Sequence, residues 1–351
     1  MKKEHMATQP GEHTFYEITN QRQAWTQALG LVESNLSSFQ SLFSEFSGEV
    51  ILTGCGSTHY LAQSGAALLQ LVTGRNSRAV PASEILINPQ MCFSQSENQK
   101  LLIAISRSGS TSETIKAVEF FKREQLGKVI AITNYGKEPL AGLADLAYVI
   151  SEGQEQSVAQ TRSFASMYVC MTALCLAAAG LEAERQSMAV LSELGATLLQ
   201  QSETYVRCLG ENLQLDRFYF LGNGPRYGLA NEVSLKMKEM TLSHSEPFHF
   251  LEFRHGPISM INENSLVIAL LSEDGRTLEE QVLKDVRKLG GHVLTVAEKN
   301  ADISFNSGIS ELARNVLYLP ALQLLAYYRS IAKGLNPDQP HNLTSVVRLE
   351  L

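Results

Sequence analysis

The sequence has little that suits a membrane, a secretion route or a nucleic acid. Its 29 basic residues are outnumbered by 36 acidic ones, so a broad nucleic-acid or membrane-surface role is not expected. The longest apolar segment, residues 167–181, is interrupted by Thr172 and Gly180, which is typical of a buried helix and not of a membrane span. The amino-terminal residues 1–13 are polar where a signal peptide would be apolar, and they resemble a loose leader. We therefore expect a soluble, cytoplasmic protein with neither membrane nor nucleic acid as a partner.

Cysteine is scarce and scattered. The five cysteines, at positions 55, 92, 170, 175 and 208, form no C-x-x-C pair and no zinc spacing. An odd number of separated cysteines is typical of reduced thiols, which fits a cytosolic protein. No His, Asp or Glu spacing predicts a metal site either.

What the sequence does contain is a regular alternation of short apolar runs and amphipathic segments. A chain of 351 residues with 44% hydrophobic residues is long enough for two domains. Strands are predicted at residues 49–53, 78–82, 101–105, 128–133, 146–150, 217–221, 266–271, 292–297 and 316–319. Helices are predicted between them, beginning with a helix over residues 17–46. This order predicts an α/β fold with parallel sheets covered by helices, and it predicts that the second half repeats the first.

One strand–loop–helix unit, residues 100–123, carries the clearest chemical signal. Its loop holds the four hydroxyls of Ser106, Ser108, Ser110 and Thr111 just before a helix, where free amides and the helix dipole attract an anion. Arg107 would add charge or point to solvent. The plainer interpretation is a turn with a helix cap. The loop has neither the P-loop nor the dinucleotide pattern, which favours a phosphorylated small molecule over a nucleotide. A second small-residue loop, residues 54–58, would lie beside it at the carboxyl edge of the sheet.

Two stretches of the second half carry titratable groups. Glu232, Lys236 and Glu239 share one face of a predicted helix, which suits either proton transfer or an ordinary solvated Glu–Lys pair. In residues 246–257, a predicted loop, His249 and His255 lie among carboxylates. A histidine there is either a proton carrier or a residue that packs the turn.

Six motifs, in a fixed order along the chain, indicate a resemblance to one protein family. They are TGCGST at Thr53, ISRSGSTSET at Ile105, SVAQTRSF at Ser157, LGNGPRYGLANEVSLKMKEM at Leu221, EFRHGP at Glu252 and NPDQPHNLTSVVRL at Asn336. The chain resembles the tandem SIS (sugar isomerase) domain family. It is most similar to the isomerase half of glucosamine-6-phosphate synthase and to stand-alone amino-sugar-phosphate deaminases and fructosamine-6-phosphate deglycases.

The resemblance implies a fold and a set of roles. The fold would be two SIS domains, each a five-stranded parallel sheet in a three-layer α/β/α arrangement, at residues 48–200 and 201–335, preceded by residues 1–47 and closed by a tail at 336–351. Glu239 would move a proton between C1 and C2, His255 would open the ring and shuttle a proton from the neighbouring subunit of a homodimer, and Glu232 and Lys236 would support the base. The residues implied to bind a 6-phosphosugar substrate are Cys55, Gly56, Ser57, Thr58, Ser106, Arg107, Ser108, Thr111, Val158 and Ala159.

Two departures from the synthase point away from synthesis. About fifty residues precede the first predicted SIS strand, so we expect no glutamine-hydrolysing domain. The tail position where the synthase carries a Schiff-base lysine is Ser345, and the nearest basic residues are His341 and Arg348. The resemblance therefore implies an enzyme that cleaves the C–N bond of a 6-phosphorylated amino sugar or sugar–amine adduct without a metal or organic cofactor. The alternatives are an aldose–ketose phosphosugar isomerase and a non-catalytic phosphosugar sensor.

Overall fold

The first half of the chain forms a parallel five-stranded sheet. The computed structural model describes residues 9–45, 48–93, 99–347 and 349. The strands are β1 (Val50–Gly54), β2 (Ser77–Pro81), β3 (Lys100–Ser106), β4 (Gly127–Thr133) and β5 (Leu146–Val149), in the order β2-β1-β3-β4-β5. The helices up to the start of the second sheet are α1 (Glu12–Thr19), α2 (Arg22–Ser34), α3 (Leu36–Ser44), α4 (Ser57–Thr73), α5 (Ala82–Ile87), α6 (Pro89–Cys92), α7 (Ser112–Arg123), α8 (Pro139–Leu143), α9 (Arg162–Ala178), α10 (Glu182–Ser187) and α11 (Leu191–Glu211).

The second half forms a sheet of the same design. Its strands are β6 (Arg217–Leu221), β7 (His244–Phe248), β8 (Ser265–Leu270), β9 (His292–Ala297) and β10 (Ile303–Ser304), in the order β10-β9-β8-β6-β7. Its helices are α12 (Pro225–Thr241), α13 (Phe250–Phe253), α14 (Arg276–Lys288), α15 (Glu311–Arg314) and α16 (Leu319–Ala332). Short 3-10 turns lie at Ser151–Gly153, Met188–Val190, Pro257–Met260 and Asn315–Tyr318. The expected α/β fold with two five-stranded parallel sheets is confirmed.

One hydrophobic cluster joins the two halves. Alternate residues of a strand point to opposite faces of its sheet. In β3, Leu101, Ile103 and Ile105 enter a core that β8 also enters through Leu266 and Ile268. The intervening residues of each strand pack into separate outer clusters. Among the described helices, none combines the length and the apolarity that crossing a bilayer requires.

The two sheets repeat the same turn at the same place. Gly56 precedes α4 with φ 55° and ψ −124°, and Gly224 precedes α12 with φ 53° and ψ −132°. These backbone angles are accessible to glycine and costly for other residues. Because β1 corresponds to β6 and β3 to β8 in the strand order, each sheet has an equivalent crevice between two loops at its carboxyl edge.

Several local predictions were wrong. Residues 316–319 were predicted as a strand, but they form a 3-10 turn that leads into α16. The prediction failed because a short apolar run does not distinguish a buried strand from a buried helix. The predicted helix over 17–46 is three helices, since the Asn20 and Asn35 amides bond to preceding carbonyls where helices end. Residue 46, the last of the predicted helix, lies outside the described residues, and so do residues 1–8 of the predicted leader. The last two residues of that leader, 12 and 13, belong to α1. Strand β7 overlaps the first three residues of the predicted loop 246–257, and neither β7 nor β10 was predicted. The domain limits remain predictions.

Candidate active site

The two predicted anion loops lie side by side. They follow β1 and β3, which are neighbours in the first sheet. A side chain at Gly54 would come within 2.9 Å of the Ile105 carbonyl oxygen, so the close approach of the loops requires glycine there. Cys55 Sγ lies 3.7 Å from Thr114 Oγ1 of α7, and burial raises the pKa of this thiol to about 11. Cys55 is therefore a neutral packing group at the base of the loops.

The hydroxyls of the second loop converge on one point. Thr111 Oγ1 lies 3.2 Å from Ser106 Oγ and 3.3 Å from Ser108 Oγ. Ser57 begins α4 and Thr111 immediately precedes α7, so two helix amino-termini face this region. Hydroxyls and the partial positive charge of helix ends are suited to binding a phosphate.

Thr58 has a local role in the first loop. Its Oγ1 accepts a hydrogen bond from the Cys55 amide at 2.9 Å and donates to the Cys55 carbonyl at 3.0 Å. The loop before α4 is thus held closed by its own side chain.

Arg107 does not point to solvent. The side chain is buried and donates to the carbonyl oxygens of Val158 at 2.8 Å, Ser157 at 3.3 Å and Ser345 at 2.9 Å. It also lies 3.7 Å from the carboxylate of Glu155. Arg107 therefore ties the second predicted anion loop to the loop that carries Val158 and Ala159 and to the carboxyl-terminal tail.

The three charged residues of α12 form a buried set. Lys236 Nζ lies 2.5 Å from Glu239 Oε2 and 3.4 Å from Glu232 Oε1, and it donates to Ser57 Oγ at 3.1 Å. Glu232 and Lys236 are each 1% exposed, which rules out the solvated-face interpretation. Part of Glu239 stays accessible, with a side chain 19% exposed. The only one of the three open to a ligand is thus the residue that the resemblance implied as the base.

Burial and charge act together on this set. Burial raises the pKa of Glu232 to about 8, against the opposing charge of Lys236. Burial lowers the pKa of Lys236, but the two neighbouring carboxylates more than offset this and leave it raised. Near neutral pH, Glu232 therefore retains its proton. The ammonium group of Lys236 lies between Glu232 and Glu239. Among the described residues, no group of three or more His, Cys, Asp or Glu side chains is placed to hold a metal ion.

The two histidines differ in environment. His249 stacks on Tyr227 with ring centroids 3.8 Å apart, and burial lowers its pKa. His255 is exposed after α13, and in the part of the chain that the structure describes its side chain makes no hydrogen bond or ion pair. The structure therefore brings Glu232, Lys236 and Glu239 to Ser57 of the first predicted anion loop but does not bring His255 into contact with them.

Comparison with known proteins decides the family. The profile of the SIS domain matches residues 46–177 and 213–323. The chain belongs to the SIS domain family.

The relatives of this SIS protein include larger enzymes, of which it matches about half, and proteins that it matches over their whole length. It is 28% identical over 360 residues to glutamine–fructose-6-phosphate aminotransferase [isomerizing] of Caldanaerobacter subterraneus, covering 95% of the chain and 56% of that relative. The chain spans about half the length of the curated relatives it matches. Its fold matches glucosamine-6-phosphate deaminase of Thermotoga maritima with a TM-score of 0.81 at 27% identity, covering 96% and 100% of the two chains.

A second solved structure shows the fold alone. Tagatose-6-phosphate ketose/aldose isomerase of Escherichia coli superposes with a TM-score of 0.81 at 24% identity, covering 95% of this chain and 97% of that one. The two chains thus share one fold.

The tail of the SIS protein lies over the start of α7. The Ser112 amide lies 3.5 Å from the Val347 carbonyl, and the Leu349 amide donates to Ser112 Oγ at 3.1 Å. Ser345 is exposed and offers its backbone carbonyl to Arg107. Ser345, the position that the resemblance matches to a lysine, thus lies beside Arg107 of the second predicted anion loop and carries no amine.

Sequence reasoning missed the supports of this site. The buried carboxylate of Glu17 in α1 accepts from the Gln156 amide at 2.5 Å and from the amide and hydroxyl of Ser157. Asp338 of the tail accepts from the amide and hydroxyl of Thr14 at 2.8 and 2.7 Å. An acidic residue in a helix has no distinguishing local pattern, although the sequence places Asp338 within a recognised motif.

Proposed function

We propose that this protein is an enzyme that cleaves the C–N bond of a 6-phosphorylated amino sugar or sugar–amine adduct, releasing an amine or ammonia. The phosphate binds the hydroxyl loops after β1 and β3, and Glu239 acts as the base. The proposal includes a homodimer in the cytoplasm, with His255 supplied to the site by the partner subunit.

The observation that carries the proposal is the contact between Lys236 and Ser57. Lys236 lies between Glu239 and the first residue of α4, in the first phosphate loop. The contact places a partly exposed carboxylate beside a loop suited to phosphate, which is the arrangement needed to remove a proton from a carbon of a bound phosphosugar.

The chemistry needs one base, one proton shuttle and water. Glu239 removes the proton from C1 of a 1-amino-ketose or from C2 of a 2-amino-aldose, the electron pair forms a double bond to the adjacent carbonyl carbon, and the carbonyl oxygen takes a proton from His255 to give an enol. Returning the first proton from Glu239 to that adjacent carbon, while the nitrogen gives a proton back to His255, yields an imine of the sugar. Water then adds to the imine carbon, and the amine leaves with a proton. Lys236 Nζ holds the Glu239 carboxylate in place at 2.5 Å, and Glu232 keeps a proton because burial raises its pKa.

His255 supports the dimeric part of the proposal. Its side chain is exposed and makes no hydrogen bond or ion pair within the described part of its own chain, and Leu251 and Met260, close to it in the sequence, are 42% and 47% exposed. An exposed histidine flanked by exposed apolar residues fits a loop that packs against another subunit. Ring opening and proton transfer to oxygen or nitrogen are the roles proposed for it.

Amine release tests the proposal. The purified protein is incubated with glucosamine 6-phosphate and with fructose–amino acid and glucose–amino acid 6-phosphates, while free amine and sugar isomers are measured together. We expect release from at least one substrate, lost in Glu239→Gln and retained in Glu119→Gln, an exposed control. Isomerisation without release would replace the proposal with an isomerase. Phosphosugar binding without turnover would replace it with a sensor.

A further inference from the structure

The second sheet has a crevice equivalent to the phosphate site of the first. It lies between the loops that follow β6 and β8, and it opens into a cavity of about 640 Å³. The correspondence holds in detail: a side chain at Gly54 would meet Thr58, and one at Gly222 would meet Arg226, four residues on in each case. The proposed substrate site occupies only the first crevice.

In the second crevice, the Glu279 carboxylate of the chain itself occupies the position that an anion would take. The Glu279 carboxylate, 1% exposed, accepts from the Ser272 amide at 2.7 Å, the Ser272 hydroxyl at 2.9 Å and the Asn223 side chain at 3.0 Å. Loop amide, loop hydroxyl and amide side chain are the kinds of donor that would otherwise hold a phosphate. A phosphate is therefore excluded by the carboxylate already bound there.

The lining of this cavity is negatively charged. Glu273 pairs with Arg314, and Glu311 pairs with Arg226. Two further carboxylates of the lining, Glu279 and Asp274, have no ion-pair partner among the residues that the structure describes. The unbalanced charge is thus negative, which favours a cation.

Two buried polar atoms of the lining lack partners. Asn315, which is 2% exposed, has a side-chain oxygen that accepts no hydrogen bond within the described ranges, and Arg226 Nε likewise donates none. A buried polar atom left without a partner costs free energy, so a ligand that supplies one is favoured. The remaining wall is aliphatic: Leu68, Leu71, Val72, Leu181 and Leu312.

We propose that this cavity is a second ligand site, which binds a primary ammonium group carried on an aliphatic body. The ammonium group lies among Asp274, Glu279 and the free oxygen of Asn315, and the body lies against the leucines of α4. This site rests on the geometry of the second sheet and not on the proposed reaction.

Calorimetric titration of the full chain at constant ionic strength tests the proposal. The probes are 3-methylbutylamine, 3-methylbutanol and leucine, which share one body and differ in charge, together with inorganic phosphate. We expect saturable binding of the amine, binding at least about tenfold weaker for the alcohol, and no phosphate binding that depends on this cavity. Equal affinity for amine and alcohol would overturn the proposal.

Variants locate the site. Asp274→Asn changes an exposed side chain and should weaken the amine about tenfold, whereas Glu263→Gln, an exposed control elsewhere, should not. Asn315→Leu should also weaken it, provided that its melting temperature shows a folded protein. Amine binding unchanged in Asp274→Asn, or lost instead in Ser57→Ala, would overturn the proposal. If leucine binds at least as tightly as 3-methylbutylamine, the ammonium site is supported and the carboxylate of leucine is assigned to Arg226 Nε. If leucine binds more weakly, the site is supported as one for an amine that carries no carboxylate.

Discussion

Lys236 Nζ donates a hydrogen bond to Ser57 Oγ across 3.1 Å, although the two residues are 179 positions apart in the sequence. The contact joins the helix of the second sheet that carries Glu239 to the loop of the first sheet that is suited to phosphate. In the proposed mechanism, one buried ammonium group would link substrate position to proton transfer.

Replacing this ammonium group should harm both stability and activity. In Lys236→Met, the Glu239 carboxylate loses its counter-charge and Glu232 loses its contact with the ammonium group, and removal of one partner from a buried ion pair typically costs about 3 kcal/mol. Urea unfolding and amine release measure the two effects. Lys238→Met, at an exposed position of the same helix, is the control and should change neither by a comparable amount.

Glu232 should make stability depend on pH. Its pKa is about 8 in the folded protein against an ordinary 4.5, so the folded state retains a proton that the unfolded state releases between these values. The free energy of unfolding therefore falls as pH rises through this window. Glu232→Gln cannot lose that proton, and we expect a flatter dependence in urea unfolding at several pH values. An unchanged slope in the variant would contradict the assignment.

The paired glycines allow structure and function to be separated. Gly56→Ala and Gly224→Ala each place a side chain at a φ near +55°, with no atom in the way, so each should cost about 1–3 kcal/mol from backbone strain. We expect similar losses of thermal stability in both. Only Gly56→Ala should strongly weaken phosphosugar binding, because its loop is the one proposed to hold the phosphate. Equal weakening in both variants would show a global effect.

Mixing two inactive variants tests the shared site. Glu239→Gln and His255→Ala each abolish activity, but a mixed dimer has one site in which both residues are native if His255 comes from the partner. After random reassembly we expect about a quarter of the native activity. No recovered activity, with mixed dimers demonstrated by differently tagged subunits, would place His255 in the site of its own chain.

Glu17 should act as a positioning residue. Glu17→Ala leaves the amides of residues 156 and 157 without their acceptor, which loosens the loop that carries Val158 and Ala159. We expect KM for the phosphosugar to rise more than kcat falls, with partial rescue in Glu17→Gln. Glu12→Ala, exposed on the same helix, is the control. A fall in kcat alone would contradict a positioning role.

The sequence by itself determined the repeating units and the local part of the site. Strand–loop–helix order follows from apolar runs and turn residues, which act over a few positions, so the loops at Ser57 and Ser106 were predicted where they occur. The shared face of Glu232, Lys236 and Glu239 follows in the same way from helical spacing. Where local pattern was ambiguous, as in the apolar run at residues 316–319, the prediction was wrong.

Only the tertiary structure decided which charged groups are buried and what they contact. Spacing on α12 fits a solvated pair as well as a catalytic set, and packing against α4 of the other sheet made it a buried set. Likewise Arg107 turns inward to carbonyls far away in the sequence, and Glu279 fills the anion position of the second crevice. Burial and pKa depend on elements brought together from distant parts of the chain, and local sequence patterns carry no record of those neighbours.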